Sequence, residues 1–351
     1  MSWYAIDGIE DSIQATREFL FPFDFRKWLK LALIVFFIGG VSGGGGGTNF
    51  SVPAGDTPGG EIPPIDGQGD ILAIVLVIGV VVGLLALLFG VLSSVFQFVF
   101  VDAVRSEEVR IRGPFNRWFG KGVRLFVFTL VLVLLILAPF LAIGAVFIFA
   151  FSPLFLILLI PFLLIIALLL GIGLTLTTDF VVPVMMREDL GVIAGWRRFW
   201  PILRAQWKQY GLFVILRWLL GFAAGILAAI ALAVVLLPVL GIAALLGFGI
   251  FTAAGGLSTA VLAFLVILAI PLGLLVLLYI LFVQVPFAVF FRYYALFVLG
   301  DSYGEFDLIP AQRRAVRAED ESTDEVGPMD DEESLGDVNG DDSDTTDDRF
   351  A

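Results

Sequence analysis

The sequence contains no cysteine and no histidine, and only four of its 21 basic residues are lysine. Without cysteine the chain forms no disulfide and offers no thiolate nucleophile. Without either residue type it lacks the usual ligands of structural zinc and of haem. Charged residues are also scarce, at 15% of the chain against about 25% in a typical soluble domain. These absences exclude a disulfide scaffold and thiol chemistry, and we expect no metal and no cofactor.

Apolar residues take the place of the missing charges. The 351 residues are 59% hydrophobic with a mean hydropathy of +1.00, whereas soluble domains are about 45–50% apolar. Uncharged runs such as 71–101 and 125–178 exceed the ~20 residues that a helix needs to cross a bilayer. The composition predicts an all-α, multi-pass protein of the cell membrane. The first residues show no basic region followed by an apolar run, so we expect no cleaved signal peptide.

We predict about six transmembrane helices, which form a domain over residues 25–299. Their approximate bounds are 25–42, 71–101, 125–150, 154–178, 211–237 and 258–285. Residues 1–24 read as a cytoplasmic amphipathic segment at the membrane interface, with Asp11 among its water-facing acids. Two further apolar segments are left over: 237–257 is predicted to be interfacial or re-entrant, and 286–299 to be an aromatic interfacial helix.

The distribution of charge gives the expected orientation. With six spans, all 17 basic residues of the first 300 fall on one side of the membrane, which is the cytoplasmic side by the positive-inside rule. Both termini are then cytoplasmic. Residues 301–351 hold 18 acids and four arginines, so we predict a disordered acidic tail over 300–351.

A faint internal repeat accompanies this layout. A shift of 82 residues brings Phe98 onto Phe180, Arg105 onto Arg187 and Trp118 onto Trp200. A shift of 179 residues makes two further matches. The pattern indicates a unit of one interfacial helix and one hairpin of spans, repeated three times, and such repeats occur in transporters as well as in inert membrane domains.

The stretch 178–210 combines aromatic and basic residues at helical spacing, with Pro201 as a point where the helix could kink. An aromatic stripe beside a basic stripe is typical of a membrane interface. The favoured interpretation is simple anchoring; the alternative is a collar that binds anionic lipid headgroups or a partner. The candidate interface residues are Trp196, Arg197, Trp200, Arg204, Trp207, Lys208 and Arg217.

Arg217 is the one charge placed within a predicted span, which makes it a candidate for function. Its long side chain is expected to reach the headgroups instead. Asp179 is interpreted as the end of a span, and the apolar spans themselves then contain no acid. The lack of a carboxylate at mid-membrane depth disfavours an ion-coupled transporter.

Two segments carry a family resemblance: residues 177–214, TTDFVVPVMMREDLGVIAGWRRFWPILRAQWKQYGLFV, and residues 98–128, FVFVDAVRSEEVRIRGPFNRWFGKGVRLFVF. In them, and over residues 1 to about 300, the chain resembles an uncharacterised family of multi-pass membrane proteins from haloarchaea. It is more distantly similar to the membrane domain of some glycerophosphodiester phosphodiesterases. Those enzymes keep catalysis in a separate soluble barrel, which has no counterpart here, so the resemblance implies location and no activity.

Our leading hypothesis for function is therefore a non-enzymatic structural, scaffolding or lipid-associated membrane component. The second is a channel or transporter for an uncharged or amphiphilic solute that uses the kinked, glycine-rich spans. A lipid-modifying enzyme is disfavoured because no acid–base or nucleophile constellation lies at the membrane. Expected partners are membrane lipids, including anionic headgroups, and a second copy or another membrane protein; no nucleic acid is expected.

Overall fold

The computed structural model describes residues 4–39, 68–150, 153–253, 255–256 and 259–325. This part of the chain is helical and contains no strand, which confirms the all-α class there. A π-helical turn over Thr177–Val181 and a 3₁₀ turn over Gly304–Phe306 interrupt the α-helices. The α-helices are α1 (Tyr4–Leu20), α2 (Phe25–Gly39), α3 (Gln68–Ser106), α4 (Arg112–Ala150), α5 (Pro153–Leu176), α6 (Val182–Arg187), α7 (Val192–Ala205), α8 (Trp207–Ala253), α9 (Thr259–Ser302) and α10 (Pro310–Glu325).

Five helical stretches among the described residues are long and apolar enough to cross a membrane. They are Leu76–Ser106, Arg112–Leu135, Leu164–Arg187, Trp207–Ala253 and Ala269–Ser302. The remaining predicted span, near 25–42, has no match among these five. It corresponds to α2, whose described part is 15 residues long. At 1.5 Å per residue α2 covers roughly 22 Å, less than the ~30 Å hydrocarbon thickness.

The buried core lies at one end of these long helices. The last turns of α3, α5 and α9 and the first turns of α4 and α8 pack there with the short helices α1, α6, α7 and α10. Away from this end the same long helices present exposed apolar side chains, such as Leu84 (63% exposed), Phe222 (71%) and Leu245 (74%). Contiguous apolar surface of this extent is the kind that hydrocarbon covers.

The second half of α9 forms the centre of this core. Residues 286–299 are predicted to be an interfacial helix, but they continue α9 through Pro286. Tyr293, Tyr294 and Phe297 are among the most deeply buried large side chains. The prediction is wrong because the aromatic residues, taken as signs of the interface, pack against neighbouring helices.

The segment 237–257 also differs from its prediction. Helix α8 does not end near 237 but continues through Pro238 to Ala253. Proline removes one backbone hydrogen bond, and long apolar helices tolerate this where neighbouring helices and local adjustments satisfy the released carbonyl. Gly255 and Gly256 follow with φ of 71° and 129°, which only glycine adopts readily. The glycines therefore belong to the reversal between α8 and α9.

Helix α1 crosses α9 steeply. Near its start, Ala5 O accepts a hydrogen bond of 2.7 Å from Tyr294 Oη, and near its end the Phe19 ring lies 6.0 Å from the Tyr293 ring. The two contacts are fourteen residues apart on α1, roughly 21 Å, yet adjacent on α9. Asp11, predicted to face water, is buried because it faces α10.

The first part of the predicted disordered tail is ordered, because residues 310–325 form helix α10. Helix α10 docks on α1 and on the end of α9 through two arginines: Arg313 Nη1 lies 2.6 Å from Asp301 Oδ1, and Arg317 Nη2 lies 2.9 Å from Asp11 Oδ2. The four charges are complementary, so Arg313 and Arg317 find partners that the composition of the tail alone does not reveal. The rest of the predicted tail, 326–351, lies outside the described residues.

Candidate functional sites

The first candidate site is the outer face of α7 and the start of α8. Helix α7 packs inward through Val192, Gly195 and Phe199, which recur at helical spacing. Trp200 and Arg197 consequently point outward, and Trp200 is 48% exposed. Pro201 causes no break, because α7 continues to Ala205 and the chain turns at Gln206.

Two tryptophan–cation pairs occupy this outer face. The Arg204 guanidinium lies 5.6 Å from the Trp200 ring, and the Lys208 ammonium lies 5.9 Å from the Trp207 ring. Trp207 is 65% exposed. We call Trp200, Arg204, Trp207 and Lys208 the aromatic–cationic face. Each pair joins a flat apolar ring to a solvated charge, which is the chemistry of a headgroup region.

Trp196 has a different role from the other tryptophans. It is half-buried, and its Nε1 donates a hydrogen bond of 3.1 Å to Thr177 Oγ1 in the π-helical turn. Trp196 therefore ties α7 to the interior of the molecule and is not part of the aromatic–cationic face.

Ion pairs surround the loop between α6 and α7. Lys121 Nζ lies 2.6 Å from Asp189 Oδ1, and this hydrogen bond lowers the pKa of the Asp189 carboxyl. Arg198 Nε lies 3.1 Å from Glu188 Oε1, which raises the pKa of the guanidinium. Because one member of each pair, Asp189 or Arg198, is exposed to solvent, the pairs fix the loop locally and contribute little to global stability.

The second candidate site is a buried charge cluster. Arg217 Nε on α8 lies 3.0 Å from Asp179 Oδ2 in the π-helical turn, and the two side chains are only 6% and 3% exposed. The structure thus differs from the expectation that Arg217 reaches the headgroups. It also places Asp179 inside a membrane-length apolar helix, where the sequence interpretation allowed no acid.

A second arginine completes the cluster. Arg292 Nη1 on α9 donates to the Thr178 carbonyl at 2.9 Å, and its Nη2 donates to Gln97 Oε1 on α3 at 2.5 Å. Aromatic rings cover both guanidiniums: Phe100 lies 5.4 Å from Arg292, and Phe291 lies 5.1 Å from Arg217. Four helical segments, α3, the π-helical turn, α8 and α9, therefore meet at one polar centre.

The π-helical turn positions two members of the cluster. A π turn bonds each carbonyl to the amide five residues on, and here Val182 N–H donates to Thr177 O. Such turns displace side chains from their α-helical direction and recur at functional sites. In this one Asp179 meets Arg217 while the Thr178 carbonyl accepts from Arg292. The turn thus supplies both a charged and a neutral acceptor.

All four side chains lie at one level of the helix bundle. Each is eight or nine residues from a charged residue at the same end of the molecule, roughly 12–14 Å along the axis. The pairs are Gln97 with Arg105, Asp179 with Arg187, Arg217 with Lys208 and Arg292 with Asp301. A single buried layer of charge inside apolar helices follows from this common depth.

The same offset of 82 residues seen in the sequence recurs in the structure. It separates Gln97 from Asp179, which contact Arg292 and Arg217. It also separates Glu107 from Asp189, the two described non-glycine residues with positive φ, at 56° and 58°. These coincidences agree with a related unit in the two segments; the threefold repeat stays a prediction.

The sequence did contain a signal for the buried pair. Arg217 is isolated in a long uncharged run, and Asp179 closes another. Two opposite charges, each isolated in apolar sequence, are most stable when they meet, because either alone is strongly unfavourable in hydrocarbon. Arg292 is isolated in the same way, nine residues from Asp301, but its contacts with Thr178 and Gln97 depend on which helices become neighbours, and Gln97 itself gave no such signal.

Chemically, the cluster can hold charge in a dry environment. Within the described residues no group of three or more acids is arranged to bind a metal ion. Arg292 is satisfied by neutral acceptors and an aromatic face, and Asp179 faces Arg217. The fold and the two sites define an all-helical protein with membrane-length apolar helices, a buried polar centre and an aromatic–cationic outer face.

Comparison with known protein families shows which family the chain belongs to. Residues 3–309 match a family of unknown function, DUF7544. The chain belongs to this family, which confirms the expected membership of an uncharacterised family. No curated protein matches the sequence, and no solved structure matches it.

Proposed function

We propose that this protein is a non-enzymatic, lipid-associated component of the cell membrane, and that its aromatic–cationic face contacts lipid headgroups. The observation that carries the proposal is the pairing of Trp200 with Arg204 and of Trp207 with Lys208 on an exposed surface. The tryptophan rings suit the boundary between headgroups and acyl chains, and the cations suit lipid phosphates.

The proposal includes an orientation. The aromatic–cationic face lies at the end where the basic residues and the compact core are found, and this end is proposed to be cytoplasmic with both termini. The six-span arrangement uses α2 as the additional span. Each surface base contributes about 1 kcal/mol toward an anionic membrane. Salt weakens this contribution because the Debye length falls to about 3 Å at 1 M.

The test measures which lipids stay bound. The full chain and its variants are purified from a membrane of mixed anionic and zwitterionic lipids in mild detergent, and the retained lipids are quantified by mass spectrometry. We expect enrichment of anionic lipid that falls about thirtyfold in low salt in an Arg204→Gln, Lys208→Gln variant, because two bases at about 1 kcal/mol each together contribute about 2 kcal/mol.

Arg198→Gln is the matched control, since Arg198 lies on the same helix but is paired with Glu188 and Glu305. It should leave the enrichment unchanged. The proposal fails if the wild type retains anionic and zwitterionic lipids in the ratio of the membrane, or if both variants retain the wild-type pattern.

A second candidate function is transport of a solute, and the buried charge cluster favours it. Ionisable residues inside membrane helices commonly mark the pathway of a substrate or an ion. The chain is reconstituted into vesicles and screened for flux of small neutral and amphiphilic solutes. A flux that is lost both in Arg217→Met and in the combined Asp179→Leu, Arg217→Met variant would favour transport over the lipid-associated function. No flux above empty vesicles would leave the lipid-associated role as the better account.

A further inference from the structure

An open groove of about 840 Å³ lies along the outer side of α1, beside α10. Its floor is apolar, because Ile6, Ile13 and Phe21 face outward while the opposite side of α1 packs on α9. These three side chains are 52%, 58% and 61% exposed. They recur along fifteen residues, roughly 22 Å, which matches about four turns of a second helix.

The rim of the groove is acidic. Glu10 and Glu18 on α1 and Glu319 on α10 line it, and Arg17 is the one base among the lining residues. Gln14 Nε2 donates a hydrogen bond of 2.6 Å to Glu319 Oε2, which fixes that carboxylate beside the groove. Burial raises the pKa of the Glu18 carboxyl, and the Glu319 carboxylate nearby raises it further. Two neighbouring carboxylates repel each other, and an added cation between them would relieve that repulsion.

We propose that this groove binds an amphipathic helix of a partner protein, with an apolar stripe against α1 and Lys or Arg residues against the acidic rim. Helix-in-groove recognition places apolar anchors at i, i+3, i+4 and i+7 in such a floor. The charge complementarity of the rim selects a basic partner helix.

The same charges argue against the other occupants. A second copy in a symmetric dimer would bring the groove against itself and place acid against acid. The acidic residues 326–351 of this chain carry the wrong sign. An anionic bilayer surface is repelled by the rim, whereas the aromatic–cationic face on α7 and α8 suits it. The proposal does not depend on the lipid-associated function.

The first test is site-specific crosslinking. The chain has no native cysteine, so Ile13→Cys can carry a single benzophenone in the full-length protein held in zwitterionic nanodiscs. The probes are an 18-residue Leu/Lys amphipathic peptide and its Leu/Glu counterpart. We expect crosslinks to the Leu/Lys peptide at Ile13→Cys, and none to either peptide at Ile193→Cys, an exposed apolar position on α7 outside the groove.

The second test neutralises the acidic rim of the groove. Glu10→Gln, Glu18→Gln and Glu319→Gln together should weaken binding of the Leu/Lys peptide about threefold to tenfold, the range for a few exposed charge pairs. Equal crosslinking by both peptides, or no crosslinking above Ile193→Cys, would overturn the proposal. An affinity unchanged by the three glutamines would also overturn it.

The bilayer is tested directly as the rival occupant. A fluorophore on Ile13→Cys is exposed in turn to an aqueous quencher and to a quencher attached to lipid acyl chains. Leu84→Cys on α3 serves as the reference for a position that faces hydrocarbon. We expect the aqueous quencher to dominate at Ile13→Cys and the Leu/Lys peptide to shield it. Lipid quenching as strong as at Leu84→Cys would show that the membrane covers the groove.

Discussion

Single buried residues determine where this fold is most sensitive to substitution. The pair of Asp179 and Arg217 brings opposite charges from two helices into a buried layer that also holds Arg292 and Gln97. Water is excluded there, so removing one charge leaves the other without solvation. Replacing a buried pair by apolar residues is far milder than breaking it.

Arg217→Met should therefore destabilise the protein by about 3–5 kcal/mol, the range for breaking a buried ion pair. The combined Asp179→Leu, Arg217→Met variant should recover most of that loss. Arg292 keeps its bonds to Thr178 and Gln97 in both variants. Unfolding of purified protein in one detergent by heat and by denaturant measures the difference. A combined variant as unstable as Arg217→Met would show that the cluster is not governed by the pair.

The contacts of single residues were the part of the structure that the sequence predicted least well. Arg217 and Asp179 each stood out in the sequence, but snorkelling at a helix end was the favoured interpretation of the arginine. The outcome depends on a π turn of five residues that turns Asp179 toward α8. Local composition carries little information about such a turn.

Helices α3 and α4 approach each other closely at Gly122. A Cβ added at Gly122 would lie 2.7 Å from Val95 Cα and 2.9 Å from Val95 N. These are backbone atoms, which cannot move aside as a flexible side chain can. The glycine permits the close approach of the two helices, as small residues do in membrane bundles.

Gly122→Ala should destabilise the α3–α4 pair by about 1–3 kcal/mol, the usual range for overpacking. Gly120→Ala is the matched control, because nothing lies within 4 Å of its added Cβ. That substitution should be neutral or stabilising by up to about 1 kcal/mol, since alanine favours helix. Denaturant unfolding of both variants compares them. Equal effects of the two substitutions would contradict the close packing.

The docking of α10 on α1 gives a second prediction for an element. Arg317→Gln removes the guanidinium that pairs with the buried Asp11 carboxylate. We expect faster amide hydrogen exchange in α10 and in the first turns of α1, with α8 and α9 unchanged. Arg314→Gln on the exposed side of α10 should leave exchange unchanged, because in the part of the chain that the structure describes Arg314 bonds to the Pro310 carbonyl of its own helix. Unchanged exchange in the Arg317 variant would show that the ion pairs of Arg313 and the apolar contacts hold α10 without Arg317.

The sequence predicted the positions of the long helices better than the tertiary contacts of the segments beside them. Uncharged runs located α3, α4, α5, α8 and α9 because length and hydropathy are local properties. Residues 286–299 and 310–325 were assigned incorrectly for one common reason. Aromatic and charged residues are typical of interfaces and tails, but here Tyr294 packs on α1 and Arg317 pairs with Asp11. Tertiary partners at large sequence separation decided both cases.

The whole molecule is polarised between two ends. One end holds the packed core, the basic residues and the aromatic–cationic face; the other presents long apolar helices with exposed side chains. The lipid-associated function requires that the first end lie at one membrane surface. The groove along α1 then faces the same compartment. Orientation is therefore the claim on which the functional proposal rests.

Accessibility of single cysteines tests this orientation most directly, because the native chain has none. Cysteines are introduced at Ser51, at the exposed Ser106 and at the exposed Ala311, and intact cells are treated with a membrane-impermeant thiol reagent. Six spans with a cytoplasmic basic end predict labelling of Ser51→Cys alone, and of all three after permeabilisation. Labelling of Ala311→Cys or Ser106→Cys in intact cells would contradict the account.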